Sequence, residues 1–122
     1  CGGGIVSANS QLLMLEILAL NQVADYFKVL SEVSRLQVLN CLKSDRKSVN
    51  EIVELTGLGQ ANVSKHLKTL AQVGIVSRHP EGTTVYYEIA DPLTLSICEL
   101  VCDRLVERLE ERSHQLKQLN SR

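Results

Sequence analysis

Four cysteines, Cys1, Cys41, Cys98 and Cys102, carry the soft-ligand and redox chemistry of this 122-residue sequence. Cys98 and Cys102 are four residues apart, a spacing that sets two thiols on one face of a helix. Two thiolates so placed can share a soft metal or metalloid ion. Tetrahedral zinc takes four ligands and metalloid chemistry usually three thiolates, so a second chain would have to complete the set. The same thiols can instead be oxidised or persulfidated. They can also simply fill an apolar seam as small side chains. Cys41 is open between core packing and reactivity. Nothing in the sequence points to secretion, so reduced thiols and a cytoplasmic location are expected.

A second constellation is made of charges and amides. Lys65, Lys68 and Arg78, with His66 and His79, lie between Leu55 and Pro80, where no Asp or Glu occurs. The whole chain has fourteen acidic residues against thirteen Lys and Arg, so this depletion is local. A surface facing a polyanion must lack carboxylates, because each would repel phosphate. The run opens with Gln60, Ala61, Asn62, Val63, Ser64, Lys65 and His66, whose exposed side is predicted to be Gln60, Asn62, Ser64, Lys65 and His66. Gln and Asn can pair with adenine in the major groove, Ser can bond bases or phosphate, and Ala61 can touch a thymine methyl. Lys65, Lys68 and Arg78 would supply phosphate attraction. Arg78, His79, Thr83 and Thr84 are placed to meet phosphates or the minor groove. The bland alternative is a solvated helix end and hairpin tip.

These residues need a scaffold, and the composition fits a single folded domain: 44% hydrophobic and 22% charged. Aromatics are only 3%, so the core must be Leu, Val and Ile, and the low content argues against stacking platforms for single strands. Residues 1–10 read as a flexible arm, and 11–122 as one domain. From Gln11 to Leu30 apolar residues occupy nearly all sides, as in a helix buried on several faces or shared with a partner chain. Glu16 breaks the longest apolar stretch, and no span reaches the length a bilayer needs. Ser31 and Ser34 are candidate N-caps for a helix holding Leu36, Leu39, Cys41 and Leu42, which stops in the polar turn 43–48. Ser48 and Glu51 form a capping box for a short helix ended by Gly57. Another helix runs from about Gln60 to Val73, with Val63, Leu67 and Leu70 inward, and Gly74 ends it. Strands are expected at 75–78 and 85–89, joined by the turn 79–84. Of Tyr86 and Tyr87, one must face the core and one solvent. Asp91 as N-cap and Pro92 at the first helical position open the last helix. There Leu95, Cys98, Cys102, Leu105, Leu109, Leu116 and Leu119 form a narrow heptad seam with charged flanks. Such a seam reads as helix-to-helix association between two chains.

Three helices and a hairpin, with the second and third helices joined by a tight turn, make a winged helix-turn-helix. The predicted fold class is mainly α with a small β-hairpin, homodimeric through the first and last helices at 11–30 and 92–119. With VADYFKVLSEVSRLQVLNCL (23–42), GQANVSKHLKTLAQVGIV and the wing exit GTTVYYEIADP, the chain resembles the ArsR/SmtB family of winged-helix transcriptional repressors over about residues 15–110. The resemblance implies a homodimer on an inverted-repeat operator, released by an inducer or by thiol modification. It also implies that Gln60, Asn62, Ser64, Lys65 and His66 sit in the recognition helix. Val33 stands where family members often have proline.

The family's two common metal sites are not matched. The helix before the recognition helix, NEIVELTG, lacks the cysteine pair that many members use. A second set, on the last helix, would fall at Asp91, Leu93, Arg104 and Glu107, and two of these are not ligands. No metal site is therefore assigned. Cys41, Cys98 and Cys102 remain as the sensing candidates, with a soft metal or metalloid ion as the cofactor they could hold. His114 reads as solvated. No phosphate loop, carboxylate pair or nucleophile motif indicates an enzyme, and no catalytic residue is assigned. The expected function is a dimeric repressor of double-stranded operator DNA with a thiol-linked signal, away from membranes. The alternatives are a winged-helix dimer without cysteine sensing, regulated by a partner or other ligand, and a protein-interaction module.

Overall fold

A computed structural model of the chain describes residues 10–120. Their order is α1 (Ser10–Val29), α2 (Val33–Cys41), β1 (Lys47–Ser48), α3 (Val49–Thr56), α4 (Gln60–Gln72), β2 (Val76–Glu81), β3 (Thr84–Ile89) and α5 (Leu93–Asn120). Cys1 and all of the proposed arm except Ser10 lie outside the described residues; Ser10 opens α1.

The core is aliphatic, as the scarcity of aromatics requires. Val38 and Leu39 of α2, Ile52 of α3, and Val63, Leu67 and Leu70 of α4 are buried together. Leu30, Leu42, Ile75 and Val76 close this cluster. Its residues recur at i, i+4 and i+7 on α4, so one face of that helix is committed to packing and the opposite face is free.

The helix ends follow local chemistry. Ser48 Oγ accepts from the Glu51 amide and Glu51 returns a carboxylate to the Ser48 amide, a complete capping box. Gly57 adopts φ 75° after α3, a left-handed geometry that glycine takes without the clash a Cβ would bring. The expected serine caps of α2 are not formed. Glu32 holds the N-cap position without a side-chain cap. Ser31 Oγ donates back to the Lys28 carbonyl, closing α1 instead. Asp91 Oδ1 accepts from the Leu93 amide, and α5 begins at Leu93, one residue after Pro92.

The expected hairpin is the larger part of a three-stranded antiparallel sheet in the order β1-β3-β2. The polar turn at 43–48 conceals β1, whose Lys47 and Ser48 pair with Tyr87 and Tyr86. The strands are also longer than the sequence suggests. β2 runs to Glu81, so the turn is Gly82–Thr83 rather than 79–84, with Gly82 at φ 60°. Pro80 lies within β2 opposite Val85, which an edge strand tolerates because proline lacks only the amide donor.

The terminal helices meet this core near one end each, at Tyr26 and Val29 of α1 and at Leu95 and Cys98 of α5. α1 contains no buried residue, and α5 contains only Thr94. The Tyr26 and Thr94 hydroxyls hydrogen-bond, tying α1 to the start of α5. The wider faces, including Leu12, Leu18, Phe27, Leu105 and Leu109, are exposed in a single chain.

Candidate nucleic-acid interface

The α3–α4 turn fixes how α4 leaves the body. Thr56 Oγ1 donates to the Ile52 carbonyl at 2.8 Å and accepts from the Leu58 amide at 3.2 Å. Gly59 is the N-cap of α4, and its carbonyl accepts from the Val63 amide at 3.0 Å. With Val63, Leu67 and Leu70 buried, the geometry of a 3.6-residue turn leaves Gln60, Ala61, Asn62, Ser64, Lys65 and Lys68 exposed. This surface has amide, hydroxyl and cationic groups and no carboxylate from α4 itself.

His66 is not part of it. Expected on the exposed side, it is 3% exposed and faces inward. It lies three residues after Val63 and four before Leu70, in the same stripe as the core leucines. Its Nε2 lies 2.8 Å from Ser34 Oγ and 3.6 Å from Glu32 Oε1. Its Nδ1 is buried without a hydrogen-bond partner among the described residues. Burial pushes its pKa below the ordinary histidine value, reinforced by Arg35 and Lys65 and opposed by Glu32. His66 therefore joins α4 to the start of α2 as a neutral core group.

On the wing, Arg78 and Thr83 are exposed, and Thr84 is half-buried. His79 is engaged by its own sheet, with Nε2 at 2.8 Å from both Ser77 Oγ and Glu88 Oε1. Tyr87 packs against the core and Tyr86 lies beneath the Arg46 guanidinium, 4.7 Å from the ring centroid. That settles which tyrosine faces in. Arg46 also makes a two-pronged ion pair with Glu81, at 2.8 and 2.9 Å. Neither residue is among the sequence candidates. Their pairing follows from β1, which the polar character of 43–48 hides.

The three cysteines of the described region are free thiols. Cys41 and Cys98 pack against the core from α2 and α5, and burial raises both thiol pKa values. Lys47 partly offsets this at Cys41. Cys102 is exposed. Cys98 and Cys102 line an open apolar groove of about 740 Å³ between α2 and α5, together with Phe27, Leu36, Leu105 and Leu109. Among the described residues, no three His, Cys, Asp or Glu side chains gather as a metal site within one chain. No described helix is long and apolar enough to cross a membrane.

A family model described as "Bacterial regulatory protein, arsR family" matches residues 32–78. The cadmium resistance transcriptional regulatory protein CadC of Listeria innocua is 34% identical over 79 residues, covering 64% of this chain and 66% of CadC. The chain thus spans just under two thirds of that relative. The HTH-type transcriptional regulator NmtR of Mycobacterium tuberculosis is 30% identical over 90 residues, covering 74% of this chain and 75% of NmtR. Among solved structures, the homodimeric winged helix-turn-helix DNA-binding domain Mb0332 of Mycobacterium bovis superposes with a TM-score of 0.69 at 31% identity. It covers 89% of this chain and 95% of that one.

Proposed function

The chain belongs to the arsR family of bacterial regulatory proteins, and from that premise we propose that it is a transcriptional repressor that binds an inverted-repeat operator as a homodimer. The observation that carries this is the exposed face of α4. Gln60, Asn62 and Ser64 offer base-reading groups, Lys65 and Lys68 offer phosphate attraction, and the inward face is locked by four buried residues. A helix fixed on one side and amide-rich on the other can enter a major groove without rearranging. The second copy would cover the apolar faces of α1 and α5, as the homodimeric Mb0332 domain supports. Two recognition helices would then read half-sites about one helical turn, roughly 34 Å, apart or a multiple of it. The test is selection from a pool of random duplexes, with sedimentation of the protein and its complex. Enrichment of a two-fold symmetric sequence by a dimer is expected. A monomer, or a pool that stays random, would overturn the reading.

The release signal we assign to the thiols of α2 and α5. Cys98 and Cys102 sit in the groove that the second copy would close, so a modified sulfur there would change how the two chains pack. Cys102, being exposed, is the thiol a reagent reaches first. Cys41 and Cys98, with raised pKa values, are poorer nucleophiles at neutral pH. A soft ion could take two thiolates from each chain, which the name of the cadmium-resistance relative supports. Operator binding should be titrated with peroxide, persulfide, cadmium and arsenite for the wild type and each Cys→Ser variant. Loss of response in Cys102→Ser is expected; an all-serine chain that still responds would remove cysteine sensing.

A further inference from the structure

The carboxylate-free run ends at Glu81, and the hairpin carries that acid to its tip. Glu81 pairs with Thr84 across the Gly82–Thr83 turn, within a few residues of Arg78 and Thr83. A bare carboxylate there would face the same phosphates that the wing is meant to meet. Arg46 prevents this from the far side of the sheet. It comes from the segment just before β1 and places two guanidinium nitrogens on the two Glu81 oxygens, at 2.8 and 2.9 Å. The face of Tyr86 holds the guanidinium plane from below. The two side chains remain 42% and 53% exposed, and pairs so exposed contribute little to stability. What the pair does change is the charge presented at the tip.

We propose that Arg46 is a charge-masking and positioning residue for DNA binding, clamping Glu81 so that the wing tip can approach the phosphate backbone. This rests on the DNA-binding reading given above. The two-pronged geometry fits masking better than direct phosphate contact. Both Arg46 terminal nitrogens are already committed to Glu81, and its flat face lies on Tyr86. Nearby, Lys47 is likewise paired with Asp45, and His79 Nε2 lies 2.8 Å from Glu88 Oε1, while Arg78 stays exposed.

The proposal makes the order of four affinities definite. The probe is a labelled mixed-sequence duplex, titrated over a range of salt and followed by anisotropy. A unit charge uncovered about 8 Å from a phosphate in water-like dielectric changes binding roughly two- to three-fold. With two wings per dimer, Arg46→Ala should bind roughly five-fold more weakly and Glu81→Gln roughly five-fold more tightly. The double variant Arg46→Ala/Glu81→Gln should return to within about two-fold of the wild type, because the tip is again neutral. Lys117→Ala, at the far end of α5, removes the same charge and should not match Arg46→Ala. Circular dichroism confirms that each variant is folded.

If the double variant stays as weak as Arg46→Ala, with a shallower salt slope, Arg46 grips phosphate itself and masking is wrong. If Lys117→Ala weakens binding as much as Arg46→Ala, net charge explains the effect and the clamp has no special place. If Lys68→Ala weakens binding but neither Arg46→Ala nor Glu81→Gln changes it, the wing tip lies away from the DNA and only this inference fails. A wild type without salt-sensitive binding would remove the DNA-binding reading and this inference together.

Discussion

His66 gives the sharpest test of how α4 is held, because its protonation must work against its burial. An unfolded histidine titrates near pH 6.5. In the folded chain burial holds His66 below that value, and Glu32 at 3.6 Å opposes the shift without reversing it. The folded state therefore binds fewer protons than the unfolded state as pH falls through the unfolded value. Stability is greatest above about pH 6.5 and is lost as pH falls towards the lower folded pKa. The steepest loss one such group can cause is about 1.4 kcal/mol per pH unit. For a domain this size that is roughly 4–7 °C in Tm per unit. Glu81 and Asp45, whose carboxyls their basic partners hold low, contribute stability above the ordinary carboxylate range. They lose it only as pH falls through that range, outside this window. The assay is urea unfolding at fixed protein concentration over about pH 5 to 8, for the wild type and His66→Gln. The amide can still bond Ser34 but cannot titrate. The wild type should lose stability below about pH 6.5 and the variant should not. Parallel curves for the two proteins, or a wild type that grows more stable on acidification, would refute the burial argument and return His66 to the exposed face.

Other substitutions separate the scaffold from the interface. Leu67→Ala empties a fully buried position and should cost about 2–5 kcal/mol, read from the denaturant midpoint. Ser48→Ala removes one half of the capping box and should cost about 1 kcal/mol in the same measurement, without altering DNA sequence preference. Lys68→Ala should weaken binding to all duplexes and lower the salt slope by about 1 for each phosphate it no longer neutralises. Asn62→Ala should relax choice at one base position instead, seen by repeating the random-pool selection. Equal, sequence-independent weakening by both interface variants would contradict the division between base reading and phosphate attraction.

The sequence was most legible where a local rule acts alone. The Ser48–Glu51 capping box, the left-handed Gly57 and the inward stripe Val63, Leu67 and Leu70 each depend on neighbours within one or two turns. The misses at His66, β1 and Arg46 involve long-range partners, whereas the α2 cap and the hairpin turn differ locally. His66 reads as polar and hence exposed until Ser34, thirty-two positions earlier, is seen to receive it. Lys47 and Ser48 look like turn residues because two residues show no alternation, and only the partner strand β3 makes them a strand. Arg46 and Glu81 are thirty-five positions apart, so no window of sequence joins them. The exposed face of α4 was readable in most of its members because helical period and charge agree there. At His66 residue type and helical period conflict, and the period prevails.

The arrangement also offers a route by which a thiol event would reach the exposed face of α4, the proposed DNA-reading surface. α2 is shared between the two regions. Leu36, Gln37, Leu39 and Asn40 line the groove that holds Cys98 and Cys102. Val38 and Leu39 enter the core with Val63 and Leu67 of α4, and Ser34 holds His66. A shift of α5 against α2 would therefore be felt at α4 through packed side chains rather than through a flexible linker. The start of α5 is anchored by Thr94 to Tyr26 and by Leu95 and Cys98 to the core. From Glu99 onward every described residue of α5 is exposed in a single chain, so in the proposed dimer its position there would depend on the second copy. A modification at Cys102 would act beyond the anchor, where displacement is least opposed. It can change DNA affinity only so far as it favours one dimer geometry over another. Cys102→Ser should therefore abolish a reagent's effect on DNA affinity while leaving unmodified affinity near the wild-type value. Cys98→Ser, within the anchor, should also change the denaturant midpoint, because its sulfur packs on the core. A response that persisted in Cys102→Ser and vanished only in Cys41→Ser would place the signal on α2 itself and dispose of this route.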